Sequence, residues 1–162
     1  MRRMNRAVMF EGVNYVLEAD IKGFFDNLDQ GWLMKFLAQD IADRNFLRYI
    51  KRFLKAGIMD GNERLHSDRG TPQGGLISPV LANVYLHYAL DLWMERRVKK
   101  QLRGKMLYLR YADDFICMFQ YKEDALIVMQ WLKTRLEKFK LEVAEEKTRI
   151  LQVGRYCGTK EK

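Results

Sequence analysis

The sequence has 162 residues and a formal net charge of +8, and 48% of its residues are hydrophobic. This length and apolar content predict one domain with its own core and exclude a disordered tail, and two cysteines exclude a disulfide-dense scaffold or a cysteine-rich zinc site. No apolar run is long enough to span a bilayer, so we expect a cytoplasmic protein with no membrane role, and the excess of Lys and Arg favours nucleic acid as its partner.

The first predicted element is a strand over residues 13–20. Val13, Tyr15, Leu17 and Ala19 alternate with more polar positions, which is typical of a half-buried strand. Asp20 therefore ends the strand on its more polar face.

Two helices are predicted next, over residues 32–39 and 44–55, and Asp43 is a suitable N-cap for the second. Leu47, Ile50 and Leu54 form the apolar stripe of the second helix. The cations of that helix recur at helical spacing and form a basic face, made of Arg44, Arg48, Lys51, Arg52 and Lys55.

A hairpin is predicted within residues 58–69, with Asp60-Gly61 at its turn, and a glycine-rich loop follows over residues 70–75. A long helix begins at Ser78 or Pro79 and ends near Lys100, and its segment 80–92 is apolar enough to be buried. The end of this helix and the residues after it carry a basic cluster, made of Arg96, Arg97, Lys99, Lys100, Arg103 and Lys105.

Residues 107–111 and 115–119 are predicted strands, joined by a tight hairpin with Asp113 and Asp114 at its tip. An amphipathic helix over residues 122–140 and a strand over residues 147–153 complete a βαββαβ order. This order predicts an α+β, ferredoxin-like fold, with an antiparallel sheet covered by helices on one face. Asp20 and the hairpin tip could then meet on the open face.

The pair Asp113-Asp114 lies between two hydrophobic strands, where two like charges repel and burial raises the cost. A divalent cation would relieve that repulsion, and an ordinary turn is the alternative. The pairs Glu123-Asp124 and Glu145-Glu146 are assigned to solvated surface, and His66 and His87 have no acid or cysteine partner at ligand spacing.

Four segments stand out in order along the chain. They are VLEADIKGFFDN at 16–27, GTPQGGLISP at 70–79, YADD at 111–114 and EKT at 146–148. Together they resemble the palm motifs of reverse transcriptases, with the group II intron-encoded type closest and the bacterial retron-type next. The resemblance runs from about residue 13 to residue 153.

The resemblance implies an RNA-directed DNA polymerase, a nucleotidyltransferase whose partners are an RNA template, a DNA primer and a deoxynucleotide triphosphate. Group II intron RNA is a further partner that it implies. Asp20, Asp113 and Asp114 would be the catalytic acids and would hold two Mg²⁺ ions, with Mn²⁺ as a substitute. The backbone carbonyl of Ile21 would also face a metal.

The same resemblance assigns the nucleotide contacts. Phe25 would crowd the sugar 2′-OH and so exclude ribonucleotides. Gln73 and Gly74 would touch the incoming nucleotide or the template, and Lys147 would lie near the leaving phosphates. The two basic clusters would hold the template–primer backbone without reading its sequence, or would be solvated surface.

Residues 1–162 are expected to form a single palm domain, with a partial fingers-like insertion over 31–70. Most of the fingers, the thumb and the maturase domain of the family are missing, so we expect this fragment to polymerise weakly or not at all. Two alternatives stay open. One is a module that binds intron RNA without catalysis, and the other is a polymerase subunit that self-associates through the surfaces left by the missing parts.

Overall fold

The chain folds around a four-stranded antiparallel sheet. The structure, a computed structural model, describes residues 12–55, 58–60, 63–65 and 77–153, with only the backbone given for the two three-residue stretches. Its strands are β1 (Tyr15–Ala19), β2 (Ile58–Asp60), β3 (Glu63–Leu65), β4 (Met106–Tyr111), β5 (Asp114–Phe119) and β6 (Arg149–Gln152). The large sheet has the order β4-β5-β1-β6, which confirms the predicted ferredoxin-like α+β fold.

The predicted helices are all present, with small shifts at their ends. The helices are α1 (Phe24–Asn27), which was not predicted, α2 (Gln30–Asp40), α3 (Arg44–Lys55), α4 (Ser78–Leu86), α5 (Lys99–Gln101) and α6 (Lys122–Lys138). The helix that begins as α4 continues without a break to α5 through two π-helical turns, His87–Asp91 and Met94–Val98. A 3₁₀ turn, Glu145–Lys147, precedes β6, so the last strand starts two residues later than predicted.

The main core lies between the helices and one face of the sheet. Leu17 from β1 and Cys117 from β5 are buried there, and Tyr85 of α4 is buried against Phe36 and Phe139. Because side chains alternate along a strand, the residues between them face the other side of the sheet. That side carries the candidate site.

A second and smaller cluster occupies part of the other sheet face. It consists of Val13, Val16 and Met118. The prediction that Val13 shares a face with Tyr15 and Leu17 is therefore wrong. Val13 precedes the first paired residue of β1, so the alternation of the strand does not reach it.

Side-chain caps fix the starts of two helices. The Oδ1 atom of Asp43 accepts hydrogen bonds from the backbone N–H groups of Asn45 (2.8 Å) and Phe46 (3.2 Å), which confirms the predicted N-cap of α3. Asp29 does the same for α2, where it accepts from the Trp32 N–H at 2.8 Å. Both helices can therefore begin where the sequence places a short acidic residue.

Three predictions about burial and pairing are wrong. Val80 is 59% exposed, because it lies in the first turn of α4 on the side away from the core. Asp124 is only 2% exposed, because its carboxylate accepts from the Gly104 N–H (2.9 Å) and the Arg103 N–H (3.4 Å) in the turn before β4. His87 does have an acid partner, since its Nδ1 lies 3.6 Å from Oδ2 of Asp91, one helical turn on.

The predicted hairpin after α3 is confirmed by the antiparallel pairing of β2 and β3, in which Ile58 faces Leu65. Its turn and the glycine-rich loop 70–75 lie outside the described residues. Within the part of the chain that the structure describes, no helix is both long enough and apolar enough to cross a membrane.

Candidate active site

The register between β1 and β5 brings two of the predicted acids together. Ala19 faces Phe115 in the last residue pair of the two strands. Asp20 follows Ala19 directly and Asp114 precedes Phe115 directly, so both acids lie at the same end of this strand pair. Asp114 belongs to β5, not to the hairpin tip as predicted, because it pairs with Tyr111.

Asp20 and Asp114 line one cleft on the sheet face that lacks helices. The cleft has a volume of about 520 Å³, within the usual range for ligand sites, and Glu18, Tyr111 and Lys147 also line it. Carboxylates enter it from β1 and β5, and a cation enters from the 3₁₀ turn before β6. The strands β1 and β5, together with the turn that leads into β6, thus contribute to one site.

Lys147 is the direct partner of Asp20. Its Nζ donates to Oδ2 of Asp20 at 2.8 Å, while the Ile21 N–H donates to Oδ1 at 2.9 Å. The hydrogen bond and the charge of Asp20 raise the pKa of Lys147 above its ordinary value. Lys147 is therefore a full cation in the cleft, on a side chain that is 66% exposed.

The backbone carbonyl of Ile21 is on the side of β1 that faces the β4–β5 hairpin. Ile21 and Val143 form an antiparallel bridge whose hydrogen bonds run from Lys22 N–H to Glu142 and from Ala144 N–H to Asp20. These bonds flank the bridge, so the N–H and C=O of Ile21 itself point away from Val143. That direction is toward the β4–β5 hairpin.

Asp113 lies in a different cavity from Asp20 and Asp114. Ala112 and Asp113 turn the chain between β4 and β5, and Ala112 has a φ of +54°. Asp113 lines a small cavity with Phe25 and with Asn83 of α4. The structure thus places Asp113 beside the residue predicted to sense the sugar, and it places the other two acids in the adjoining cleft.

Sequence reasoning missed a network that ties the hairpin to the long helix. Arg110 forms two hydrogen bonds with Asp91, from Nε to Oδ1 (2.7 Å) and from Nη2 to Oδ2 (2.6 Å), and the Tyr108 hydroxyl donates to Oδ1 at 2.7 Å. Burial alone would raise the pKa of Asp91, but the bonds from Arg110 and Tyr108 outweigh it and hold that pKa below its ordinary value. The available signal was an arginine inside an otherwise apolar strand, which needs a buried partner.

The donor set suits a divalent cation only in part. Among the described residues, no group of three acidic, histidine or cysteine side chains is close enough to hold a metal ion. Two carboxylates and a backbone carbonyl nevertheless offer oxygen atoms, which Mg²⁺ prefers, and Mg²⁺ commonly binds one or two carboxylates together with substrate phosphates and water. The residues present therefore fit a Mg²⁺ site that the substrate completes.

The basic residues lie on exposed surface. On α3 the five cations are all exposed, and so are three aromatic side chains of the same helix, Phe46, Tyr49 and Phe53. In the second basic cluster Arg96, Arg97, Lys100 and Arg103 are exposed. Lys99 is less available, because it donates to Glu95 at 2.6 Å. Gln73 and Gly74 lie outside the described residues.

Comparison with known proteins shows that the sequence matches one family. The sequence profile of the family described as reverse transcriptase (RNA-dependent DNA polymerase) matches residues 5–160. The group II intron-encoded protein LtrA of Lactococcus lactis is 32% identical over 92% of the chain, and protein YkfC of Escherichia coli is 27% identical over 86%. The chain spans 35% of LtrA and 44% of YkfC.

The fold is also found in solved structures. A telomerase from Candida albicans, in complex with a fragment of telomeric RNA, superposes with a TM-score of 0.71 at 18% sequence identity. The match covers 99% of this chain and 29% of the telomerase chain. At this identity the likeness establishes the fold.

Proposed function

The chain belongs to the reverse transcriptase family, and we propose that it carries the nucleotidyl-transfer site of an RNA-directed DNA polymerase. The observation that supports this most is the cleft lined by Asp20, which directly follows β1, and by Asp114 of the neighbouring β5, with Lys147 bonded to Asp20. A site for phosphoryl transfer needs negative side chains that hold cations and positive ones that meet phosphate.

Asp20, Asp113 and Asp114 are the proposed catalytic acids, and with the Ile21 carbonyl they would hold two Mg²⁺ ions, for which Mn²⁺ can substitute. When bound, the ions lower the pKa of the primer 3′-hydroxyl and stabilise charge on the phosphate being transferred. The chain's own part is alignment. The β1–β5 pairing fixes Asp20 relative to Asp114, and the β4–β5 turn sets the position of Asp113.

Lys147 and Phe25 would act on the incoming nucleotide. Lys147 has an exposed ammonium group and would leave Asp20 for the phosphates once the cleft fills. Phe25 lines the same small cavity as Asp113, so its ring would exclude a sugar that carries a 2′-hydroxyl. Gln73 and Gly74 complete the proposed nucleotide contacts.

The exposed basic clusters would hold an RNA template and a DNA primer. Contacts from Lys and Arg to phosphate give affinity without sequence preference, which a polymerase requires. We also propose group II intron RNA as a partner, since the LtrA relative is named as an intron-encoded protein. The cations concerned are those of α3 and those at the end of the long helix, Arg96, Arg97, Lys99, Lys100 and Arg103.

We further propose self-association of the chain through α3. Phe46, Tyr49 and Phe53 are 49%, 61% and 38% exposed and line a groove together with Ile77. Contiguous exposed aromatic surface marks interaction sites. Light scattering should give a mass above that of one chain, and Tyr49→Arg should restore the monomer. A monomeric wild-type chain would rule out this contact.

Primer extension on an RNA template tests the polymerase proposal. Asp20→Asn, Asp113→Asn and Asp114→Asn should each abolish nucleotide addition in Mg²⁺ and in Mn²⁺. Glu123→Gln is the matched control, because it removes one exposed carboxylate and changes the net charge by the same amount. Equal extension by all four variants would contradict the assignment. RNA binding that needs no Mg²⁺ and is lost when the basic clusters are neutralised, with no extension by the wild type, would favour the binding-module alternative.

A further inference from the structure

The turn between β4 and β5 has a backbone shape that its own residues do not favour. Ala112 has a φ of +54°, in the left-handed region that residues other than glycine seldom adopt. Two-residue hairpin turns of this kind normally use Asn or Gly. Contacts from outside the turn must therefore help to keep Asp113 in place.

Arg110 supplies such a contact. Its Nη1 donates to the Ala112 carbonyl at 2.6 Å and to Oδ1 of Asn83 at 2.8 Å. The Arg110 side chain is only 11% exposed, and it reaches two acceptors that lie at the protein surface. One guanidinium thus joins the tip of the hairpin to α4.

Asp91 fixes the orientation of that guanidinium. It accepts from Nε and Nη2 of Arg110 through its two carboxylate oxygens, at 2.7 Å and 2.6 Å. A planar guanidinium held at two points by a carboxylate has one orientation, which a lysine could not reproduce. The remaining nitrogen, Nη1, is thereby directed at the tip.

The network ends at the wall of the cavity that contains Asp113. Asn83, which accepts from Arg110, lines that cavity together with Phe25. The Asn83 side-chain amide also donates to the Pro79 carbonyl at 3.0 Å, in the first turn of α4. Both the turn that carries Asp113 and one wall of its cavity are therefore connected to Arg110.

We propose that Arg110, oriented by Asp91, is a positioning residue that holds Asp113 in the geometry needed for metal and nucleotide binding. This inference rests on the proposed function. Arg110 lines the cleft that contains Asp20 and Asp114, and in the role proposed here it acts on Asp113 through the Ala112 carbonyl. Its loss should widen the range of positions that Asp113 samples while leaving Asp20 and Asp114 where the β1–β5 pairing puts them.

The test compares Arg110→Gln and Asp91→Asn with Tyr108→Phe. The control removes a hydrogen bond to the same carboxylate but keeps the bond between Arg110 and the turn. Amide hydrogen exchange of residues 111–114 reports on the turn, and Mn²⁺ affinity, measured by electron paramagnetic resonance, reports on the site. Arg110→Gln and Asp91→Asn should speed exchange at the turn and weaken Mn²⁺ binding about 10-fold, as loss of a residue that orients a metal ligand does.

Tyr108→Phe should change neither quantity, although it should lower thermal stability. If it reproduces the effects of Arg110→Gln, the network is only structural and the inference is wrong. If Asp113→Asn weakens Mn²⁺ binding but Arg110→Gln does not, this inference alone fails. If Asp113→Asn has no effect, the proposed metal role of Asp113 fails first. Should Arg110→Gln not fold, Arg110→Lys keeps the charge without the two-point geometry, and unchanged exchange and affinity in that variant would overturn the proposal.

Discussion

Replacing Asp124 by alanine should destabilise the protein far more than replacing its neighbour Glu123. Asp124 is 2% exposed and accepts from the Gly104 N–H at 2.9 Å and, more weakly, from the Arg103 N–H at 3.4 Å. A hydrogen bond to a charged group contributes about 1.5–3 kcal/mol, and its loss leaves a donor unsatisfied. We therefore expect Asp124→Ala to lower the free energy of unfolding by about 2–3 kcal/mol.

Urea unfolding followed by circular dichroism measures this change, with thermal melts as a second readout. For a chain of this size the loss corresponds to a fall in Tm of about 4–12 °C. Asp124→Asn keeps an acceptor oxygen and should cost about 1 kcal/mol.

Glu123→Ala is the control, because both acids lie in the first turn of α6 and interact with the helix dipole, but Glu123 is exposed. It should change stability by less than about 0.5 kcal/mol. Equal losses in the two alanine variants would show that the bonds to the turn before β4 do not carry the effect.

Three further changes test the site and its surroundings. Phe25→Ala should open the cavity beside Asp113 and reduce the preference for deoxynucleotides over ribonucleotides by about 10- to 100-fold. The preference is measured as the ratio of the two kcat/KM values, and an unchanged ratio would argue against a role for the Phe25 ring. Because the pKa of Asp91 is lowered in the folded state, the stability that this carboxylate contributes is complete well above its ordinary pKa. That stability is lost as the pH falls through the lowered pKa. Urea titrations from pH 6 to pH 3 should therefore show a smaller loss for Asp91→Asn than for the wild type, and parallel losses would contradict this. The double variant Arg48→Glu, Lys51→Glu should weaken binding to RNA–DNA duplexes of unrelated sequence by the same factor. It should also reduce the slope of log K against log salt concentration by about 0.9 for each phosphate that the protein no longer neutralises. Weaker binding to one sequence alone would contradict binding through the phosphate backbone.

The elements that sequence reasoning predicts well are those fixed by local chemistry. The α3 helix begins after Asp43 because that side chain caps it, and β4 and β5 pair because a two-residue turn leaves no other register. Local chemistry alone does not predict that Asp20 and Asp114 line the same cleft. The expectation that they meet came from the ferredoxin-like fold that the βαββαβ pattern predicts, since alternation within β1 does not identify the neighbouring strand.

What could not be predicted depends on contacts between distant segments. Glu123-Asp124 looks like any exposed acid pair until the turn at Gly104 is placed against it. Arg110 and Asp91 lie 19 residues apart in different elements, and only the packing of the long helix on β4 pairs them. The separate cavity of Asp113 follows from the positive φ of Ala112, which no residue preference predicts.

The central place of β1 in the sheet has a consequence for synthesis on the ribosome. Both neighbours of β1 are translated long after it, and the ion pairs Asp20–Lys147 and Glu18–Arg149 join residues 127 and 131 positions apart. A nascent chain must therefore hold β1 without a partner strand until β5 has been made, and with one free edge until β6 emerges, and free strand edges are open to aggregation. A chain arrested before residue 147 would have no Lys147 to face Asp20, so the cleft is complete only after residue 147 has been translated.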